Sequence, residues 1–231
     1  LLKLGLCDAV LCGGVDSLSL LTINGFASLE VVSGRVARPF AADRDGINIG
    51  EAAAVFLMTR VPMPGFPEGE PIGLLGYGAS SDAWHMSSPR PDGEGAMQAI
   101  QAALQGAGLS AGDLGWINLH GTGTTQNDAM ESLAVVQTLG VDVPGTSTKP
   151  HTGHTLGAAG ALEAAIVWGL VSRQLNPSGA LPAQGNERDP SLAPLRLTRP
   201  GDRWPSGRRL GLSTSFAFGG NNMALIMGDT A

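Results

Sequence analysis

Four short stretches hold the side chains able to do chemistry. His120-Gly-Thr-Gly-Thr124 sets an imidazole and two hydroxyls among glycines, and it follows the apolar run Trp116 to Leu119, which reads as a strand. A strand end facing a Gly-rich turn is where open α/β sheets place their sites. Lys149-Pro-His-Thr-Gly-His154 puts an ammonium close in sequence to a second imidazole, just ahead of an apolar helix. In Gly157-Ala-Ala-Gly160 small residues let another backbone or a ligand approach the start of that helix. Phe216-Ala-Phe-Gly-Gly-Asn-Asn222 joins two aromatics to hinge glycines. Each stretch also has a plain structural reading. His120 can be a satisfied histidine at a strand end, Lys149 a surface lysine, and Phe216 and Phe218 core packing. Asp128 and Glu131 have the D-x-x-E spacing of a capping box, worth ~1 kcal/mol. His85 and His151 lack a supporting motif and read as surface residues.

The elements that must position these residues alternate along the chain. Residues 8–13 and 53–58 are apolar runs of strand length, the first closed by Gly13-Gly14. Pro62, Pro64, Pro67 and Pro71 with Gly65 and Gly69 cannot continue a helix or a central strand, so they read as a linker. A strand over 72–77 and a helix over 93–107 follow, the helix with Ala96, Ile100, Ala103, Leu104 and Ala107 on one face. Another helix opens at Asp128 and Glu131. Residues 155–172 are apolar almost all round, the pattern of a buried helix. Glu163 is the only acid in that helix, and a buried carboxylate needs a partner. After a Pro-rich loop over 176–194, strands over 210–215 and 223–227 read as antiparallel neighbours. The alternation gives an α/β fold with a mainly buried sheet.

Composition excludes several classes. With 43% hydrophobic and 15% charged residues and 34 glycines, the 231-residue chain can bury a sizeable core and is not disordered. Net charge is −6 and the 14 basic residues form no dense run, which argues against nucleic acid. No apolar stretch reaches the ~18 residues of a membrane span, and no signal peptide precedes Asp8. Cys7 and Cys12 make neither a disulfide framework nor a zinc motif, so a reduced cytoplasmic setting is expected.

Taken together and in order, these motifs resemble the elongating, two-histidine beta-ketoacyl-acyl-carrier-protein synthases, condensing enzymes of thiolase-like fold. Further matching segments are Gly13-Gly-Val-Asp-Ser-Leu18, Arg38-Pro-Phe40, Asp43-Arg-Asp-Gly46 and Gly76-Tyr-Gly-Ala-Ser-Ser-Asp82. The resemblance implies a layered α-β-α fold, here the C-terminal half (72–231), a linker (62–71) and the end of the N-terminal half (1–61). It implies catalytic roles for His120 and His154, whose N–H groups would face the oxygen of a malonyl-derived enolate as charge develops there. It assigns Lys149 to the family lysine, Glu131 to the acid that pairs with it, and Phe218 to the gating phenylalanine. Thr122 and Thr124 match the threonines that bind the phosphopantetheine arm, Phe216 belongs to the substrate-facing loop, and Phe26 falls in a segment lining the acyl pocket. Asn118, Glu163, Ser213 and Thr214 match groups around a structural monovalent cation, with Thr214 where asparagine is usual. Ala217 stands where glycine is usual, and Asn221 where threonine is.

The same resemblance implies substrates carried on the phosphopantetheine of an acyl carrier protein, no required cofactor, and a homodimer for the complete enzyme, in fatty acid or polyketide assembly. The family nucleophile is a cysteine in a Thr-Ala-Cys turn before a helix, where the helix dipole depresses the thiol pKa. Neither Cys7, before a strand, nor Cys12, inside one, fits, and both read as small buried residues. Leu1 to Leu6 read as the tail of the helix that would follow the nucleophile, with a Thr-Ala-Cys segment expected about 30 residues upstream. The sequence is thus expected to be a fragment of a condensing enzyme, inactive alone. The alternatives are a chain-length-factor-like partner and a non-catalytic module that binds acyl carrier protein. A thiolase is disfavoured, because residues 216–222 hold no second cysteine. Apolar surface on the 8–12 and 53–58 strands is expected to be exposed.

Overall fold

A computed structural model describes residues 1–60 and 71–230. It contains two sheets with a helix between them. Strand β1 (Ala9–Asp16) pairs antiparallel with β2 (Ala52–Thr59). The second sheet has six strands: β3 (Ile72–Ser81), β4 (Trp116–Asn118), β5 (Pro144–Thr146), β6 (Arg196–Leu197), β7 (Leu210–Ala217) and β8 (Asn221–Asp229). Their spatial order is β3-β8-β7-β4-β5-β6. The pairs β3–β8 and β8–β7 are antiparallel, and β7–β4, β4–β5 and β5–β6 are parallel.

Side-chain alternation along the central strands divides the core into two layers. Ile117, Leu212 and Ile226 point to the face covered by α2 (Glu94–Ala107) and α3 (Thr125–Leu139), where they pack with Ile100, Ala103 and Val135. Trp116, Leu225 and Met227 point to the opposite face, against Val167 and Val171 of α5 (Ala159–Val171). The far side of α5 meets β1 and β2, and Phe56 joins the same cluster. The layered α/β architecture expected from the sequence is therefore present.

Several local expectations are corrected. Gly13 and Gly14 do not close β1, which runs on to Asp16. They are small because the strand is clamped on both sides. A Cβ on Gly13 would lie 2.1 Å from the Ala54 carbonyl oxygen, and one on Gly14 would lie 2.7 Å from that of Gly157. Helix α3 starts at Thr125, so Asp128, in its first turn, and Glu131 are not its capping box; their carboxylates accept backbone amides of Phe40, His120, Gly121 and Gly123 instead. The apolar run from Thr155 begins as a 3₁₀ turn (Leu156–Ala158) before α5, and Trp168 on α5 is exposed rather than buried. Leu1 to Leu6 hold only a 3₁₀ turn (Leu2–Leu4). Helix α1 (Leu20–Ser28) has no clear apolar periodicity in the sequence, yet the hydroxyl of Ser19 accepts the Thr22 N–H as an N-cap should. The proposed linker lies, except for Pro71, outside the described residues.

The outer face of the β1–β2 sheet carries Leu11, Val15, Val55 and Leu57 in the open, Leu11 at 73% exposure and Val15 at 69%. Leu20 and Leu21 of α1 are exposed as well. No helix among the described residues is long and apolar enough to cross a membrane.

Candidate active site

The site lies where β4 and β7 end and α5 begins. The backbone leaving β4 turns through His120 and Gly121, and α3 anchors it from below. The Glu131 carboxylate takes both turn amides, His120 N–H at Oε1 and Gly121 N–H at Oε2, each at 2.7 Å. The Thr214 hydroxyl oxygen accepts the same His120 N–H at 3.1 Å and donates to Glu131 Oε1 or to the Asn118 carbonyl. One turn earlier on α3, Asp128 takes the N–H groups of Phe40 and Gly123 at 2.7 and 3.2 Å. Burial raises both carboxyls, Asp128 to about 6 and Glu131 to about 7, against the opposing pull of those amides.

Helix α4 (Lys149–Thr152) delivers Lys149 from the other side. Its Nζ meets the His120 carbonyl at 2.5 Å, His120 Nδ1 at 3.3 Å and Glu163 Oε1 of α5 at 2.5 Å. Lys149 and Glu163 are each only 2% exposed. The acid paired with Lys149 is thus Glu163, which corrects the assignment to Glu131. Both Glu131 oxygens already accept backbone amides, while Glu163 comes from the apolar helix facing the lysine. The requirement that a buried Glu163 find a partner is met here.

The two histidine rings stand edge to face, with centroids 5.3 Å apart. Burial, then the Lys149 charge, pushes His154 down to about 3 and His120 well below its ordinary value, so both rings are neutral at working pH. Hydrogen bonding fixes which nitrogen holds the proton. His154 Nδ1 accepts the Leu156 N–H at 3.3 Å, which leaves the proton on Nε2. His120 Nδ1 faces the Lys149 ammonium, with the same result. Leu156 reaches this position with φ at +47°, a strained backbone for a side chain of its size.

Both rings line a cavity of about 860 Å³, together with Thr122, Thr124, Phe216, Phe218, Phe26 and Ser213. The hydroxyls of Thr122 and Thr124 lie 2.9 Å apart on its wall. Phe216 is buried edge-on to His120 at 5.9 Å, whereas Phe218 is half exposed and stacks on Phe26 of α1 at 5.7 Å. The loop carrying Phe218 is tied to residues 82–86. Gly219 N–H donates to the Met86 carbonyl, Asp82 N–H to that of Gly220, and the Asn222 amide to the Asp82 carboxylate. Asp82 sat inside a matching segment, yet nothing in the sequence set it apart. Ala217 is extended at φ −104°, so a side chain there costs the backbone nothing.

Of the four groups expected around a cation, Thr214 does not face the layer that the other three share. Alternation sends the Ser213 side chain toward α5 and the Thr214 side chain to the other face, where it bonds Glu131. His85 and His151 are exposed, as expected. Cys7 precedes β1 and Cys12 lies within it, both as free thiols, and neither lines the cavity. The chemistry available is hydrogen-bond donation: two neutral imidazoles, that of His120 also hydrogen-bonded to the Phe216 backbone, and hydroxyls along an apolar wall.

Comparison with known proteins gives a consistent picture. Residues 1–62 match the family described as "Beta-ketoacyl synthase, N-terminal domain", and residues 73–179 match "Beta-ketoacyl synthase, C-terminal domain". The chain is 34% identical to a 3-oxoacyl-[acyl-carrier-protein] synthase 2 from Synechocystis sp., covering 97% of the chain and 56% of that protein. The corresponding protein of Rhizobium meliloti is 35% identical over 98% of the chain and 55% of its own length. Among solved structures, a ketosynthase (ApeO) in complex with its chain length factor (ApeC) from Xenorhabdus doucetiae superposes with a TM-score of 0.88 at 48% identity, covering 99% of the chain and 55% of that structure's chain. The ishigamide ketosynthase/chain length factor gives 0.85 at 31% identity, covering 99% and 56%. The chain thus spans little more than half the length of the relatives it matches.

Proposed function

The chain belongs to the thiolase-like condensing-enzyme superfamily and is related to the beta-ketoacyl-acyl-carrier-protein synthases, and on that footing we propose that it serves as a non-catalytic partner or module that receives a thioester from an acyl carrier protein. One observation carries this reading. The cavity holding the histidine pair is lined by no cysteine among the described residues, and both cysteines of the chain lie away from it, in or just before β1. Acyl transfer by this family needs a thiolate to take the acyl group. What remains is a receiving surface, with the hydroxyls of Thr122 and Thr124 for the pantetheine arm and the His154 N–H for the thioester carbonyl.

A second reading is favoured by the histidine geometry. Two neutral rings at 5.3 Å, each with Nδ1 engaged, suit an enolate oxygen. With a cysteine supplied by polypeptide beyond these 231 residues, malonyl thioester would lose CO₂. Its enolate carbon would then attack the enzyme-bound acyl thioester, forming the C–C bond and releasing the thiolate. Calorimetric titration of the chain with malonyl-loaded carrier protein, with CO₂ release followed in parallel, separates the two. Saturable binding without CO₂ release supports the first reading, and CO₂ release by the chain supports the second. No binding overturns both.

A further inference from the structure

Asn118, Glu163 and Ser213 share the layer between the six-stranded sheet and α5. Asn118 lies two residues beyond Trp116 on β4, Ser213 two beyond Gly211 on β7, and Glu163 one turn before Val167, against which Trp116 packs. Two polar atoms in this layer are buried without a partner, Asn118 Nδ2 and Glu163 Oε2. Buried polar groups are almost always satisfied, so these two atoms mark the layer as a place where a further polar group could be held. The resemblance to the condensing enzymes would put a monovalent cation there.

The residues present do not fit one. A hard cation needs converging oxygens. Thr214 has turned its hydroxyl to the opposite face of the sheet, toward Glu131. Asn118 has its Oδ1 committed to the Thr148 hydroxyl at 3.0 Å and presents an amide N–H instead. Charge argues the same way. The Lys149 ammonium already neutralises Glu163 at 2.5 Å, so a cation would add an unpaired buried charge.

We propose that the layer holding Asn118, Ser213 and Glu163 excludes monovalent cations. Lys149 then takes over the charge role of the cation. The test is thermal unfolding of the chain in KCl, NaCl or choline chloride at one ionic strength, about 0.15 M. The three midpoints should agree within about 1 °C, because only a ligand that binds the native state shifts them. A midpoint several degrees higher in K⁺ or Na⁺, saturating with concentration, would overturn the proposal. Asn118→Asp, or Ser213→Asp should the first variant fail to fold, adds the missing negative charge and oxygen. Either variant should gain a saturable K⁺ or Na⁺ dependence. A folded variant as indifferent to cations as the parent would contradict the charge argument on which the exclusion rests.

Discussion

Glu163→Gln isolates the charge of the buried pair while keeping its shape. The Lys149 ammonium spends its three donors on the His120 carbonyl, His120 Nδ1 and Glu163 Oε1, and only the last carries a negative charge. Glutamine still offers an oxygen at that position, so the hydrogen bond can persist while the ion pair is lost. Stranding one charge of a buried pair costs about 3–5 kcal/mol, and the retained acceptor places this variant near the low end. A two-state chain of about this length loses roughly 2–4 °C per kcal/mol, so the midpoint should fall by about 6–12 °C. Circular dichroism melts at low micromolar concentration measure it. Lys149→Met should be similarly damaging, because it strands Glu163. The double variant Lys149→Met/Glu163→Leu should be less damaging than the two losses added, since an apolar pair leaves no orphan charge. A Glu163→Gln midpoint within about 1 °C of the parent, or strict additivity in the double variant, would refute the pairing.

Burial raises the Glu131 carboxyl in the folded chain to about 7 from its ordinary value of 4.5, so its ionisation opposes folding. Relative to Glu131→Gln, the parent should lose about 3 kcal/mol as pH rises from about 4.5 to about 7, and urea melts across that window would show a flat difference if the carboxyl titrates normally. In a complete condensing enzyme carrying this chain, His120→Ala and His154→Ala should each slow malonyl decarboxylation by about 10²–10³-fold while acylation of the cysteine stays measurable. Unchanged CO₂ release in both would remove the histidines from the reaction. The exposed row of Leu11, Val15, Val55 and Leu57 should make the 231-residue chain self-associate, and Leu11→Lys with Val55→Lys should reduce this. A light-scattering mass that stays monomeric across a concentration series would mean that this face is not sticky.

Motifs in the sequence located the histidines, the threonine pair and the aromatic loop that the fold gathers into one cavity. They did so because each motif sits at the end of a strongly apolar element whose type is unmistakable. Partnerships across elements were harder to read. Glu131 and Glu163 are both acids near the lysine in space, and nothing in spacing tells which one finds Nζ and which one takes backbone amides. Choosing needs the direction in which α3 and α5 cross the sheet. Similarly, Ser213 and Thr214 are neighbours in sequence yet point to opposite faces, a separation that alternation foretells only once β7 is known to be central. The two-residue strand β6 and three-residue β5 are held by parallel pairing, not by local pattern, and left no trace in the sequence. Asp82 was invisible as a tether because its partners, Asn222 and the Arg90 amide, come from different segments.

The most direct test of the proposed function is intact-mass measurement of the 231-residue chain after incubation with an acyl carrier protein thioester. A receiving surface without a nucleophile should leave the mass unchanged, even under conditions where calorimetry shows the carrier protein bound. An added acyl group on Cys7 or Cys12 would contradict it, because a thiol in or beside β1 would then be acting as the acyl acceptor that the cavity is argued to lack.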